Sequence, residues 1–270
     1  HLAHVLGFVT KDPTNALGAA GVEMRYEDSL KGLPGIIRGE KNALGREILE
    51  KRIVRKDPET GCSVHLTINH NVQCDVEREL YAGFTNCHAR AAWAIVLEAD
   101  TGAVLAMASL PDFDPEEFNK ADSLARKNRA VGENLEPGSV MKTITACAAL
   151  NEKIVGPDTM MNTDRFEDGY YKLPGDAGHK WEPFMSVRDG LVHSSNIVYG
   201  KLGVKLGPVK LWKYFKAFGF GRKTGIDLPG EGVSIFYQPE SFKELDLATA
   251  SFGQNFKISP VQQITAVAAV

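Results

Sequence analysis

Hydrophobic residues fall into a few patterned runs along the chain, separated by glycine, proline and charge. Residues 63–68 alternate with period two, which predicts a strand with Val64, Leu66 and Ile68 on one face. Val72, Val76, Leu80 and Phe84 follow at helical spacing and predict an amphipathic helix over 71–84. Two apolar runs, 91–99 and 103–108, meet at Asp100-Thr101-Gly102, a turn signal that predicts two joined strands. Trp93, Ile95 and Leu97 share one face of the first run, and Ala92, Ala94 and Val96 the other. Strands apolar on both faces belong to a sheet covered on both sides. From Ser139 to Leu150 almost no polar face remains, so a helix there is a buried one. Ser186-Val187-Arg188-Asp189 has the form of a capping box and predicts a short helix to about His193, with a second apolar helix starting at Ile197. Residues 246–255 and 260–270 read as the start and body of a last helix. The remainder is punctuated by turns. Residues 1–60 predict short strands and turns, with the charged stretch 38–57 extended or mobile. Residues 151–183 predict a loop with turns at Asp168-Gly169 and Pro174-Gly175; His179 and Trp181 there could line a cleft but are read as surface loop residues.

One charged residue breaks the apolar helix. Lys142 sits in its first turn, where burial without a partner is rare and the helix dipole disfavours an ammonium. Ser139 read as an ordinary N-cap would call for Glu or Gln three residues on, and the chain has lysine. Read as a pair, Ser139 and Lys142 are i and i+3 and share one helix face. Burial and dipole push such a lysine toward its neutral form, and a neutral amine can take the proton of a neighbouring hydroxyl. The pattern is that of an activated serine nucleophile, with first-turn N–H groups available to a developing oxyanion.

Composition excludes several classes. The formal net charge of −3 offers no basic footprint for nucleic acid. No apolar run reaches the roughly 18 residues that a membrane-spanning helix needs. Cys62, His65, His70 and Cys74 suggest a metal site only at first sight, because strand alternation points Cys62 and His65 to opposite faces; Cys147 reads as a small core residue. Gly219-Phe220-Gly221-Arg222-Lys223-Thr224-Gly225 is glycine-rich and basic but lacks the order of a phosphate-binding loop. No metal or cofactor is expected.

Ser194-Ser195-Asn196 is, by itself, loop and cap vocabulary. Following Ser-x-x-Lys by some fifty residues, it completes the order of penicillin-binding proteins and serine β-lactamases. Further stretches extend the match over most of the chain. They include Ala3-His4-Val5-Leu6-Gly7-Phe8, Gly21-Val22-Glu23, Leu66-Thr67-Ile68-Asn69 with Gln73, and Asp100-Thr101-Gly102-Ala103-Val104-Leu105-Ala106-Met107-Ala108-Ser109. Glu136-Pro137-Gly138-Ser139, Thr224-Gly225-Ile226-Asp227-Leu228-Pro229-Gly230-Glu231 and Phe252-Gly253-Gln254 complete the set. The chain resembles a class B penicillin-binding protein, the monofunctional transpeptidase type of the division and elongation machinery.

The resemblance implies an α+β fold: an antiparallel-rich sheet covered by helices on both faces, beside a smaller mixed pedestal. Residues 1–88 would form the pedestal, or dimerisation region, and 89–270 the transpeptidase region. It also implies roles. Ser139 would be the nucleophile, Lys142 its base, Ser194 a proton relay, and Asn196 the group that binds the substrate amide and orients the lysine. Substrates would be peptidoglycan stem peptides ending in D-Ala-D-Ala, with β-lactams as acylating analogues. Expected partners are a glycosyltransferase and division or elongation proteins, at the extracytoplasmic face of the plasma membrane. Lys223-Thr224-Gly225 imitates the family's third motif, yet its glycine and proline neighbours mark a loop, so Lys223 is read as a decoy. The chain starts at His1 and reaches only Gln262 of the family's later Thr-Pro-x-Gln stretch. It therefore reads as a piece of a longer protein, with its anchor upstream and its third motif downstream, and the piece alone is expected to acylate poorly. Asn255 stands where the family usually has glycine. Two other functions fit the same motifs: a β-lactamase or D,D-carboxypeptidase, and a catalytically inactive division scaffold.

Overall fold

The computed structural model describes residues 2–10, 12, 16–164, 166–167, 171–172, 175–176, 181–236 and 238–270. His179, with Asp168, Gly169 and Pro174 of the predicted turns, lies outside them. The N-terminal part is built from short pieces: α1 (Ala3–Leu6), α2 (Gly21–Arg25), α3 (Glu27–Leu30), and an antiparallel ribbon of β1 (Ile36–Arg38) with β2 (Ile53–Lys56). The charged stretch expected to be extended or mobile is thus a hairpin. A long helix, α4 (His70–Asn86), begins at Asn69, whose side chain caps Asn71 and Val72.

The predicted strand pair is present as β3 (Ala92–Leu97) and β4 (Val104–Leu110), antiparallel, with Ile95 opposite Met107. Gly102 takes the turn at φ +75°, which a glycine adopts without strain. α4 packs on β4, while α5 (Arg129–Gly132) and α10 (Pro260–Ala268) pack on β3. Residues 63–68 do not pair as a strand. They run along the outer edge of β4, where Thr67 Oγ1 donates to the Val104 carbonyl and Asn69 N–H to the Leu105 carbonyl. Gln73, 1% exposed, completes that edge: its Oε1 accepts from Met107 N–H at 2.8 Å and its Nε2 donates to the Met107 carbonyl at 3.0 Å. Side chains thus replace a neighbouring strand, which removes an open edge. Gln73→Leu leaves both Met107 groups unpaired in the core, a cost of about 1–3 kcal/mol per unsatisfied group. The urea midpoint is expected to fall accordingly, and an unchanged midpoint would show that the edge is held by other means.

The helical part begins with α6 (Met141–Asn151) and continues through β5 (Met160–Asn162), β6 (Phe166–Glu167), β7 (Tyr171–Lys172), β8 (Phe184–Ser186) and α7 (Val187–Val192). β5 lies inside the region that the sequence marks as loop and pairs with β8 just past its end. Ser186 caps α7 through Asp189 N–H, as its spacing predicts. α8 (Asn196–Ala217) bends where Gly207 takes φ +75° before Pro208. The predicted last helix is two helices, α9 (Glu244–Ser251) and α10, because Gly253 at φ +87° and Asn255 at φ +69° turn the chain between them. α6, α8 and α9 pack together around Met141, Ile144, Tyr199, Leu202 and Phe252, each no more than 2% exposed. Burying each such side chain contributes about 1.5–3 kcal/mol. The whole is α+β, and its named strand pairs are antiparallel.

Candidate active site

Ser139 stands in a 3₁₀ turn, Gly138–Val140, that leads directly into α6. Pro137 occupies the cap position and no side chain caps the turn, so the exposed Ser139 hydroxyl is not spent on its own helix. Lys142, one turn on, is 1% exposed. Its Nζ lies 3.1 Å from Ser139 Oγ, 2.8 Å from Ser194 Oγ and 2.8 Å from Asn196 Oδ1, and it also donates to the Ser194 carbonyl. All four residues that the motifs single out are therefore gathered on one nitrogen.

The kinds of oxygen matter more than their number. The Ser194 carbonyl and Asn196 Oδ1 can only accept, and the Asn196 orientation is set by its Nδ2 donating to the Gly175 carbonyl at 3.4 Å. The other two are hydroxyls, which donate or accept. A neutral amine has two N–H bonds and one lone pair. In the free base, N–H bonds given to the two obligate acceptors would leave the lone pair for the hydroxyls of Ser139 and Ser194. Burial draws the Lys142 amine down to about 8, against the opposing pull of the Asp176 carboxylate. Near neutral pH an appreciable fraction is then the free base.

Ser-Ser-Asn serves two purposes at once. Ser195, fully buried, is the N-cap of α8 and accepts from Val198 N–H at 3.3 Å. Ser194 beside it has φ +55°, a left-handed conformation uncommon outside glycine and frequent at functional sites. That backbone turns both its carbonyl and its hydroxyl onto Lys142. Asp176 anchors the segment from outside: its carboxylate accepts from Ser195 Oγ–H at 2.7 Å, from Trp181 Nε1–H at 2.6 Å and from Asn196 N–H. Trp181 is a loop residue, but not one turned out to solvent. It is half-buried against the main core, its ring 5.2 Å from that of His193. Asp176 is not legible from the sequence, since it sits on a loop without periodicity.

The serine turn is held from one side by a later segment. Leu135 and Ile258 exchange backbone hydrogen bonds of 3.0 Å, Gln263 Nε2 donates to the Pro137 carbonyl at 3.1 Å, and Gly138 N–H donates to the Gly253 carbonyl at 2.9 Å. Lys223 takes no part. It lies exposed on a loop, where Thr224 gives both its N–H and its hydroxyl to the buried Glu231. Of the four groups weighed as metal ligands, His70 and Cys74 approach each other at 3.8 Å, one turn apart on α4. Among the described residues no cluster of three or more His, Cys, Asp or Glu is placed to hold a metal, and no helix is long and apolar enough to cross a membrane.

A buried lysine between two serines and an asparagine, at the head of a helix in an α+β fold, defines a class. Residues 92–270 match the family model of the penicillin binding protein transpeptidase domain, and residues 3–66 that of the penicillin-binding protein dimerisation domain. The chain belongs to the penicillin-binding protein transpeptidase family. Stage V sporulation protein D of Bacillus subtilis (strain 168) is 36% identical over 99% of this chain and 41% of its own length. Peptidoglycan D,D-transpeptidase FtsI of Escherichia coli (strain K12) is 28% identical over 96% of this chain and 43% of its own. The solved structure of penicillin binding protein 2X from Streptococcus thermophilus superposes with a TM-score of 0.85 at 24% identity, over 98% of this chain and 40% of that one, a likeness of fold alone. The chain spans about two fifths of the length of these curated relatives.

Proposed function

We propose that the protein is a peptidoglycan D,D-transpeptidase that works through an acyl-enzyme on Ser139. The observation that carries this reading is the Lys142 amine, buried, 3.1 Å from Ser139 Oγ and within hydrogen-bond reach of two obligate acceptors. Lys142 takes the Ser139 proton as Oγ attacks the carbonyl between the two terminal D-alanines of a stem peptide. The C–N bond breaks, and Ser194 passes the proton from Lys142 to the departing D-alanine. An amine of a second stem peptide then attacks the ester, gives its proton back along the same path, and releases Ser139 with the cross-link formed. Asn196 holds the donor's amide and orients Lys142. The Ser139 N–H, which has no acceptor inside its own helix by position, faces the developing oxyanion.

In this reading residues 1–88 are the pedestal and 89–270 the transpeptidase region, acting outside the cytoplasmic membrane beside glycosyltransferase and division or elongation proteins. Homology to a protein named D,D-transpeptidase supports the substrate class. β-Lactams would acylate the same serine. Intact-protein mass spectrometry after penicillin treatment of the protein made from its complete gene tests this directly. A long-lived adduct mapped to Ser139 is expected. Rapid release would point to a β-lactamase or carboxypeptidase, and no adduct to an inactive scaffold.

The acylation rate carries a pH signature. The neutral amine is the active form, so protonation on the acid side removes it. With Lys142 at about 8, the rate is expected to rise roughly tenfold per pH unit well below pH 8, less steeply near it, and to level off above it. Labelling by a fluorescent penicillin at a series of pH values measures this. A rate indifferent to pH across that range would contradict the role of Lys142 as base.

A further inference from the structure

Asn255 lies on the turn between α9 and α10, and its surroundings in the fold give the residue a task. Its φ is +69°, a left-handed backbone that asparagine tolerates better than other side-chain-bearing residues. That backbone aims its N–H at Glu136 Oε1, 2.8 Å away and three residues before Ser139. Its side chain reaches the other way, where Nδ2 donates to Asp246 Oδ1 on α9 at 3.1 Å. Asp246 is itself fixed, since its other oxygen accepts from Lys243 N–H at the cap of α9. A glycine could take the same backbone and keep the bond to Glu136, but it could not tie the turn to α9.

We propose that Asn255 is a positioning residue for Ser139, coupling the serine turn through Glu136 to Asp246 and the rigid start of α9. This rests on the reading of Ser139 as the acylated residue. It adds a fourth rung to a ladder: Leu135 on Ile258, Glu136 on Asn255, Pro137 on Gln263 and Gly138 on Gly253. Each residue from 135 to 138 thus has a bond into the segment 253–263; the Gln263 side chain ties the turn to α10, and the Asn255 side chain carries the restraint on to α9. A serine held this way meets the Lys142 lone pair without searching for it. Small displacements of reacting groups are costly, with about 1 Å of misplacement able to lower a rate by up to 10²-fold.

The test exchanges donor and acceptor. Asn255→Asp sets a carboxylate against that of Asp246 and pushes the rung apart. Asn255→Asp combined with Asp246→Asn restores the hydrogen bond with its polarity reversed, and leaves an acceptor for Lys243 N–H. Asn255→Gly keeps the backbone and removes only the tether. Two readouts are taken on the protein made from its complete gene: the first-order acylation constant and dissociation constant for a fluorescent penicillin, and hydrogen exchange of the peptide spanning 135–142. Asn255→Asp is expected to lower the first-order constant by about tenfold with little change in the dissociation constant, and to speed exchange in that peptide. The double variant is expected to recover to within about twofold of the parent, with Asn255→Gly in between. A single variant that acylates like the parent, or a double variant as slow as Asn255→Asp, overturns the proposal. If the parent itself takes no label, the acyl-enzyme reading fails. The exchange data then decide the positioning role separately, since loosening by Asn255→Asp and its reversal in the double variant need no chemistry at Ser139.

Discussion

Lys142→Ala is expected to slow acylation of Ser139 by about 10²–10⁴-fold, the range that a positioned general base contributes. The truncation also leaves the Ser194 carbonyl and Asn196 Oδ1 without the N–H groups that orient them, so the loss is not confined to the proton. The informative companion is Lys142→Arg. A guanidinium keeps the charge and supplies donors to the same oxygens, but it does not give up its proton in a protein. If Lys142 acts only as a fixed positive charge, the arginine variant will label nearly as fast as the parent. If it acts as the base, Lys142→Arg will be as slow as Lys142→Ala at every pH. Stopped-flow labelling with a chromogenic β-lactam separates the two, and rapid acylation of the arginine variant would remove the base role from this lysine.

Gly253→Ala is expected to be the most damaging single-methyl change near the site. Its φ of +87° already excludes most side chains, and a Cβ built there would lie 2.0 Å from the Gly138 carbonyl oxygen and 2.6 Å from the Gly138 N. The obstacle is the backbone of the serine turn itself, which cannot swing away as a side chain can. A strained left-handed backbone costs about 1–3 kcal/mol, and the clash adds displacement of Gly138 to that cost. Gly102→Ala serves as the control: its φ is +75° but nothing lies within 4 Å of the added methyl. Both variants are expected to lose stability in thermal melts, with Gly253→Ala losing more. Only Gly253→Ala is expected to lose acylation, by about 10²-fold, since it alone moves the turn that carries Ser139. Equal acylation rates for the two variants would mean that the serine turn is not held by this contact.

Much of the local structure could be read from residue patterns because the physics behind it is local. The hairpin 92–110 follows from two apolar runs and a glycine turn, and α7 from a serine that caps the N–H of Asp189. Buried α6 follows from a run with no polar face. The errors occur where a long-range partner outweighed a local pattern. Residues 63–68 alternate like a strand, yet Thr67, Asn69 and Gln73 spend their hydrogen bonds on the edge of β4 instead of forming a ladder. Residues 246–270 break into two helices where two left-handed residues, Gly253 and Asn255, fold against the serine turn, and Ser259 with Gln262 then forms the capping box that starts α10.

The site divides along the same line. Ser139 and Lys142 are one helical turn apart, so spacing alone puts them on a common face and marks the lysine as an oddity in an apolar helix. Ser194 and Asn196 come from 52 and 54 residues further along the chain than Lys142, and no periodicity carries that far. Their arrival, the anchoring of Ser195 and Asn196 by Asp176, and the grip of residues 253–263 on the serine turn all depend on how α6, α8 and α9 close on one another. Neighbours along a helix are set by geometry that each residue brings with it. Which distant groups surround a buried nitrogen, and so where its lone pair points, is settled only when the core excludes water from all sides at once.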